Sequence, residues 1–486
     1  MIVRTLEGDF NQDFTFTHFP KWGILSKEIQ ISGVSFCLQN SINRTEVDQM
    51  HRQFIIPILI IFTLIPFSFS AEILWWHAMG GTLGEKVNEI ATRFNESQDQ
   101  HTIKPIYKGN YTETMTGAVA AFRAKKHPHI VQVFEVGTAT MMSAQRAIYP
   151  AFKVMKDTGN PIDPEAYLQA VTAYYTDNKG NMLSLPFNSS TPVLYYNKEA
   201  FRLAGLDPER GPRTWNEFED FAKKIQKAGY PCGFTTGWQS WTQLENFSAW
   251  HDLAFATKGN GFDGLDASLS INSPEHVKHV ETLARWQKSR IFDYGGRRSD
   301  AAPKFYNGEC AMYINSSASY SPIRENVRTF QFGVSMLPYW EGFESAPQNS
   351  IIGGASLWVL RGHKKEDYQG VAKFFAFLSS AEIQADWHQF TGYLPITHKA
   401  YELSKEQGFY KKNPGTETAI KQLTFKKPTV RSKGIRLGNF VQVRDVINEE
   451  MEAIWSGKKS AKDGLNSAVK RSDVLLRKFE RTNRRR

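Results

Sequence analysis

Three short runs, ILWW at 73–76, IKPIY at 103–107 and IVQVF at 130–134, decide the fold. Each is an apolar run of strand length. Between the first two, Glu85 to Asn95 carries Val87, Ile90, Ala91 and Phe94 at helical spacing. Between the second and third, Met115, Val119 and Phe122 mark another helix. The order β-α-β-α-β predicts an α/β fold with a parallel sheet flanked by helices. In such sheets ligands sit beyond the carboxyl ends of the strands. Gly109-Asn110-Tyr111 and Glu135 each fall just after a strand, so Tyr111 and Glu135 are candidates by position alone.

Downstream, the polar, proline-bounded PFNSSTP at 186–192 leads into the strand-like VLYY at 193–196. Such a segment suits a crossing between two lobes, and 486 residues are long for a single core. The second half mixes helix and strand and ends in two long periodic helices, near 439–456 and 461–480. Upstream, FIIPILIIFTLIPFSF at 54–69 follows His51-Arg52 and exits through small residues. A positive start, a short apolar run and a small-x-small exit predict a signal peptide over 50–70, and hence an exported protein. Met50 then reads as the initiator, and 1–49 as an extension ahead of the true start.

The net charge of +10 and the isoelectric point near 9.2 fit an anionic ligand, a nucleic acid or a membrane surface. Residues 1–70 hold more acidic than basic groups, so the basic balance belongs to the rest of the chain. No long basic run is interleaved with aromatics, and Arg484-Arg485-Arg486 is a terminal tail, so no nucleic-acid partner is expected. Cys37 lies in the leader; Cys232 and Cys310 either pair in an oxidising compartment or stand as two core thiols. Their spacing is not that of a metal site.

Enzyme signatures are missing: no GxGxxG after a strand, no Walker A loop, no HExxH and no GxSxG elbow. The twelve histidines are scattered, and His77, which follows the first strand, reads as structural. Other segments suit binding. Trp238 and Trp241 are three apart and could share one face of a helical turn, where flat rings suit the C–H face of a polyol; two core tryptophans would look the same. Ser316-Ser317 offers hydroxyls at a strand end, and Gly353-Gly354 lets a backbone approach an anion. Arg444 belongs to the inward stripe Phe440, Val443, Ile447, Met451 and Ile454. A guanidinium there needs an anionic partner, either a carboxylate such as Asp445 or Glu449 or a bound ligand.

Longer stretches carry a family resemblance. YKGNY at 107–111, EVGTATMM at 135–142, PFNSSTPVLYYNK at 186–198, QLENFSAW at 243–250, IIGGASLWV at 351–359 and TGYLPIT at 391–397 resemble bacterial extracellular solute-binding protein family 1, in its glycerol-3-phosphate-binding branch. The resemblance runs from about Ile73 to about Glu480. It implies the two-lobe periplasmic binding protein fold, with hinge-linked lobes and the ligand in the interlobe cleft. One lobe would take 71–188 plus about 333–396, the other about 189–332 plus 397–486.

The site implied by the resemblance is Tyr111, Glu135, Ser190, Trp238, Trp241, Ser316, Gly354, Tyr393 and Arg444. Tyr111, Glu135, Gly354 and Tyr393 would lie on one lobe, Trp238, Trp241, Ser316 and Arg444 on the other, and Ser190 at the crossing. Hydroxyls, the Gly354 amide and Arg444 would suit a phosphate, Glu135 the glycerol hydroxyls, and the tryptophans the carbon skeleton. Tyr313-Ile314-Asn315 and Phe134 depart from the family beside the site. The implied protein is a periplasmic monomer without cofactor, metal or catalytic residue. It would capture sn-glycerol-3-phosphate or glycerophosphodiesters such as glycerophosphocholine for the permease subunits of an ABC importer driven by a cytoplasmic ATPase. The alternatives are a neutral-sugar binder of the same fold and a periplasmic glycerophosphodiester hydrolase.

Overall fold

The computed structural model describes residues 71–484; the signal peptide expected at 50–70 and the extension expected at 1–49 lie outside the described residues. Among the described residues no helix is long and apolar enough to cross a membrane. The strands are β1 (Ala71–His77), β2 (His101–Tyr107), β3 (Ile130–Phe134), β4 (Ile148–Tyr149), β5 (Leu185–Ser190), β6 (Pro192–Asn197), β7 (Cys232–Thr236), β8 (Cys310–Ser316), β9 (Phe332–Ser335) and β10 (Gly353–Leu360). They form two sheets. One is six-stranded, in the order β2-β1-β3-β10-β4 with β5 also on β10; the other is four-stranded, β7-β8-β6-β9.

In the first sheet β1 pairs in parallel with both β2 and β3, as the β-α-β-α-β order predicts. The parallel run stops at β10, which lies antiparallel on β3 from Ala355↔Phe134 to Val359↔Ile130. Connectivity explains the reversal. β3 and β5 run toward the gap between the sheets, whereas β10 enters the sheet from that gap, because the chain has just left β9 of the second sheet. In the second sheet β7 and β8 run parallel toward the gap, and β6 leaves it antiparallel, with Pro192 opposite Ser316.

Two passages between the sheets lie side by side. The first is Thr191 alone, between β5 and β6. The second falls within 336–352, after β9, so residues 333–335 pair with β6 in the second sheet and not in the first lobe as the sequence suggested. The Thr191 hydroxyl touches the Ser350 hydroxyl (2.6 Å) and the Ile351 carbonyl (3.1 Å), binding the two passages to each other. Cys232 and Cys310 are register partners on β7 and β8 and are joined as a disulfide.

The helices follow their apolar stripes. α1 (Gly81–Glu96) buries Val87, Ile90, Ala91 and Phe94. α2 (Tyr111–Arg123) starts at a capping box, Asn110 with Glu113, and buries Thr114, Met115 and Ala118. Val119, expected on that stripe, lies at its margin and is 40% exposed. α3 (Phe440–Trp455) buries Phe440, Val443, Arg444, Ile447, Met451 and Ile454, and α4 (Ala461–Asn483) packs on it. Most of the aromatic side chains serve the two cores: Trp75, Trp250, Trp286, Trp358 and Trp387 are fully buried.

Candidate ligand-binding site

The strand ends of both sheets converge on a cavity of about 490 Å³. Its lining includes all nine residues implied by the resemblance, with Phe134, Met79 and Tyr306 among the others. Each arrives by a definable local route. Tyr111 opens α2 just beyond β2, Glu135 is the first residue after β3, and Ser190 ends β5. Gly353 and Gly354 begin β10, and Tyr393 follows a helix ended by Gly392 in the left-handed conformation. Ser316 ends β8, Trp238 and Trp241 follow β7, and Arg444 comes from α3.

On the first-sheet side a chain of amides fixes proton positions. The Ala78 N–H can only donate, so Gln132 Oε1 accepts from it (2.7 Å). Gln132 Nε2 then donates to Asn188 Oδ1 (2.7 Å), and Asn188 Nδ2 donates to the Tyr111 hydroxyl oxygen (2.8 Å). The Tyr111 hydroxyl, its oxygen taken by Asn188, in turn donates to the Tyr393 hydroxyl, so the two phenols form a hydrogen-bonded pair at the cavity wall. Burial, with Tyr393 adding to it, pushes the Tyr111 hydroxyl well above its ordinary range, and burial raises Tyr393 too, so both stay protonated donors. Tyr111 stacks on Phe134, with ring centroids 5.3 Å apart. Phe134, expected to lie beside the site, thus lines the cavity itself. Gly354 has φ +90°, and a Cβ there would sit 1.8 Å from the Asn188 carbonyl oxygen, so only glycine fits.

On the second-sheet side Trp238 has φ +49°, so the two tryptophans do not share a regular helical turn. Both rings line the cavity, Trp238 from the bend and Trp241 from the π-helical turn Trp241–Glu245 that follows it. A Cβ on Gly353 would lie 2.5 Å from the Trp241 ring, so the glycine permits that close approach. Trp241 is buried, and its Nε1 has no hydrogen-bond partner among the described residues. Ser316 Oγ accepts from the Ala318 N–H (3.1 Å), leaving its own proton free. Tyr313, Ile314 and Asn315, expected to depart from the family, are buried, and Asn315 Nδ2 donates to the Tyr313 hydroxyl oxygen behind Ser316.

Arg444 is buried, as its stripe predicts, but its partners are neither Asp445 nor Glu449. Nε donates to Glu245 Oε1 (2.8 Å) and Nη2 to Glu245 Oε2 (2.6 Å), while Nη2 also reaches Glu135 Oε1 (2.7 Å). Helix geometry explains the correction: Glu449 faces α4, where it pairs with Arg471, and the carboxylates that reach Arg444 come from other elements. Burial alone would lower the guanidinium pKa, but Glu245 and then Glu135 outweigh it and the net shift is upward. Burial raises the pKa of Glu135; Arg444 opposes that shift and Glu245 adds to it, and the net direction is up.

Glu245 is the residue that sequence reasoning passed over. It lies inside the quoted QLENFSAW stretch, four residues after Trp241, a spacing that would place both on one face of a helical turn. His77 is buried beside the site without lining it; its Nδ1 accepts from the Met79 N–H, and burial lowers its pKa to about 4.

Two other clusters have metal-ligand composition. In His129/His363/Asp367, His129 Nδ1 accepts from the Leu74 N–H, so the neutral ring carries its proton on Nε2, facing Asp367, and offers no lone pair there. In Cys232/Asp293/Cys310 the thiols are consumed by the disulfide.

Residues 89–418 match the model of the family described as "Bacterial extracellular solute-binding protein". The chain is 53% identical over 414 residues to the sn-glycerol-3-phosphate-binding periplasmic protein UgpB of Yersinia pseudotuberculosis, covering 85% of this chain and 94% of that protein. To the protein of the same name from Escherichia coli it is 51% identical over 423 residues, covering 87% and 94%. Among solved structures it is similar to UgpB from Mycobacterium tuberculosis in complex with glycerophosphocholine, with a TM-score of 0.72, 24% identity and coverage of 84% of this chain and 99% of that one. It is also similar to the maltose-bound MalE3 of T. maritima, with a TM-score of 0.68, 20% identity and coverage of 84% and 100%. The chain is a periplasmic member of the bacterial extracellular solute-binding protein family.

Proposed function

We propose that the protein is the substrate-binding component of an ABC importer that captures sn-glycerol-3-phosphate, or a glycerophosphodiester such as glycerophosphocholine, and delivers it to the membrane permease. The observation that carries this reading is one cavity combining neutral donors, flat aromatic rings and a carboxylate–guanidinium pair. The Tyr111, Tyr393, Ser190 and Ser316 hydroxyls and the Gly354 backbone take the phosphate. Arg444 adds its Nη1 edge, Glu135 accepts from glycerol hydroxyls, and Trp238 and Trp241 pack on the carbon skeleton. A volume of about 490 Å³ lies in the range of sites for compact organic ligands.

The lobes are taken as 71–190 with 353–396, and 192–335 with 397–484. They close about the passages tied by Thr191 and Ser350, and the ligand favours the closed form through its differential affinity for it. The protein acts as a monomer, and no bond of the ligand is made or broken.

One observation favours the neutral-sugar alternative: two carboxylates already match Arg444, as suits an uncharged polyol. A fluorescence titration with glycerol-3-phosphate, glycerophosphocholine and maltose separates the readings. Saturable changes with the phosphate esters and none with maltose are expected; the reverse pattern would establish a sugar binder. Choline release from glycerophosphocholine by the purified protein would instead establish the hydrolase.

A further inference from the structure

Arg444 is the one cation lining the cavity among the described residues, and Glu135 the one carboxylate. Glu245 stands behind them. Its side chain is 1% exposed, does not line the cavity, and takes Nε and Nη2 of Arg444 fork to fork. This grip uses one edge of the guanidinium and leaves both N–H groups of Nη1 on the other; Nη1 has no partner among the described residues.

Glu245 is itself held independently of any ligand. The Ser240 hydroxyl donates to its Oε1 (3.1 Å). The next residue, Asn246, accepts from the Ile351 N–H (2.9 Å) and donates to the Trp241 carbonyl (3.2 Å), fastening the π-helical turn to the segment that leads into Gly353. The formal charges of Arg444 and Glu245 cancel, and Glu135 leaves one negative charge in surplus. Near neutral pH a phosphate monoester carries close to two negative charges and a diester phosphate one, which in glycerophosphocholine the choline cation offsets, so the surplus opposes the monoester more.

We infer that Glu245 is a positioning residue for ligand capture: it aims the Nη1 edge of Arg444 into the cavity, and by cancelling the arginine charge it lowers the preference for doubly charged phosphate monoesters relative to singly charged diesters. The inference rests on the phosphate-ester reading proposed above.

Two substitutions separate aim from charge, each measured by calorimetry with glycerol-3-phosphate and glycerophosphocholine after an unliganded melting curve. Glu245→Gln keeps the shape and removes the charge, so affinity should shift toward glycerol-3-phosphate over the diester by about fivefold or more. Glu245→Asp keeps the charge but withdraws the carboxylate by one methylene, so both ligands should weaken by about threefold or more while their ratio stays within about twofold of the parent. An unchanged ratio in Glu245→Gln overturns the charge role, and parental affinities in Glu245→Asp overturn the aiming role. The variants are read separately, so a folding failure of one leaves the other decisive. Failure of the parent to bind either ester would overturn the phosphate-ester reading instead.

Discussion

The two walls of the cavity reach the same place by different physics. The first-sheet wall is made largely of residues close to strand ends, and it is organised by a neutral relay from Ala78 through Gln132 and Asn188 to Tyr111. The second-sheet wall depends on a π-helical turn, a left-handed tryptophan and an arginine delivered by a distant helix, and it is organised by the buried Arg444–Glu245 pair, which Glu135 joins from the first wall. Neutral relays lose modest energy when one link is cut, whereas a buried charge left without its partner is costly. The second wall should therefore be the more fragile when a single side chain is removed.

The largest expected effect is that of Arg444→Ala. It strands Glu245 and Glu135 in the interior, and unliganded stability should fall by roughly 3–5 kcal/mol. The matching cut in the first wall, Asn188→Ala, should lose about 1–3 kcal/mol. Denaturant titrations of both variants check the contrast, which collapses if Asn188→Ala is the more destabilising. Removing the disulfide with Cys232→Ser and Cys310→Ser should cost roughly 4 kcal/mol, because it closes a long loop with 78 residues of sequence separation. Affinity should stay near parental, since both cysteines lie at the strand ends away from the cavity. A tenfold loss of affinity would show that the second sheet transmits strain to the site.

Acid acts on both sides of the cavity, since His77 and His388 on the first-sheet side are also buried, with pKa values lowered by desolvation to about 4. In the second half, His251 and His276 are buried neutral, with pKa values lowered by desolvation to about 3 and about 4. The unfolded chain, with histidine near 6.5, binds more protons between those values and 6.5. The stability these residues contribute is therefore fully present above about pH 6.5 and is lost as pH falls toward 4. At pH 5 the loss should be roughly 1–2 kcal/mol for each. His276 is bonded at both ring nitrogens, to the Ser273 and Ser248 hydroxyls, and His276→Gln should flatten the profile. A melting temperature independent of pH between 7 and 5 would contradict buried neutral histidines. The smallest expected effect is that of Trp238→Ala, about 1 kcal/mol of ligand affinity with little change in unliganded stability. Trp241→Ala should lower both, because its ring is buried against Gly353.

Legibility in the sequence follows the same division. The strands ILWW, IKPIY and IVQVF and the stripes of α1 and α3 read correctly, because both periodicity and burial are local. The antiparallel entry of β10 did not, since it depends on where the chain returns from the second sheet. The cavity residues came through family-like stretches more than through spacing. Tyr111, Glu135 and Ser316 were also marked by position at or after a strand end. Helical periodicity correctly turned Arg444 inward, but from α3 only Asp445 and Glu449 could be seen as partners. The true partners lie 199 and 309 residues away, on elements whose juxtaposition is tertiary. The cysteine pairing stayed open for the same reason: it requires the register of β7 on β8. The shared cavity face of the tryptophans was anticipated, though the bend at Trp238 and a π-helical turn produce it and not a regular helical one.

The central claim, that the cavity between the sheets is a phosphate-ester site built wholly from protein donors, is tested most directly by isothermal titration calorimetry of the purified protein with sn-glycerol-3-phosphate in the presence of a chelator. The account predicts saturable one-to-one binding, weakened by at least tenfold in Arg444→Lys, which keeps the charge but cannot reproduce the fork held by Glu245. Absence of binding, or binding that appears only when a divalent cation is restored, would contradict it.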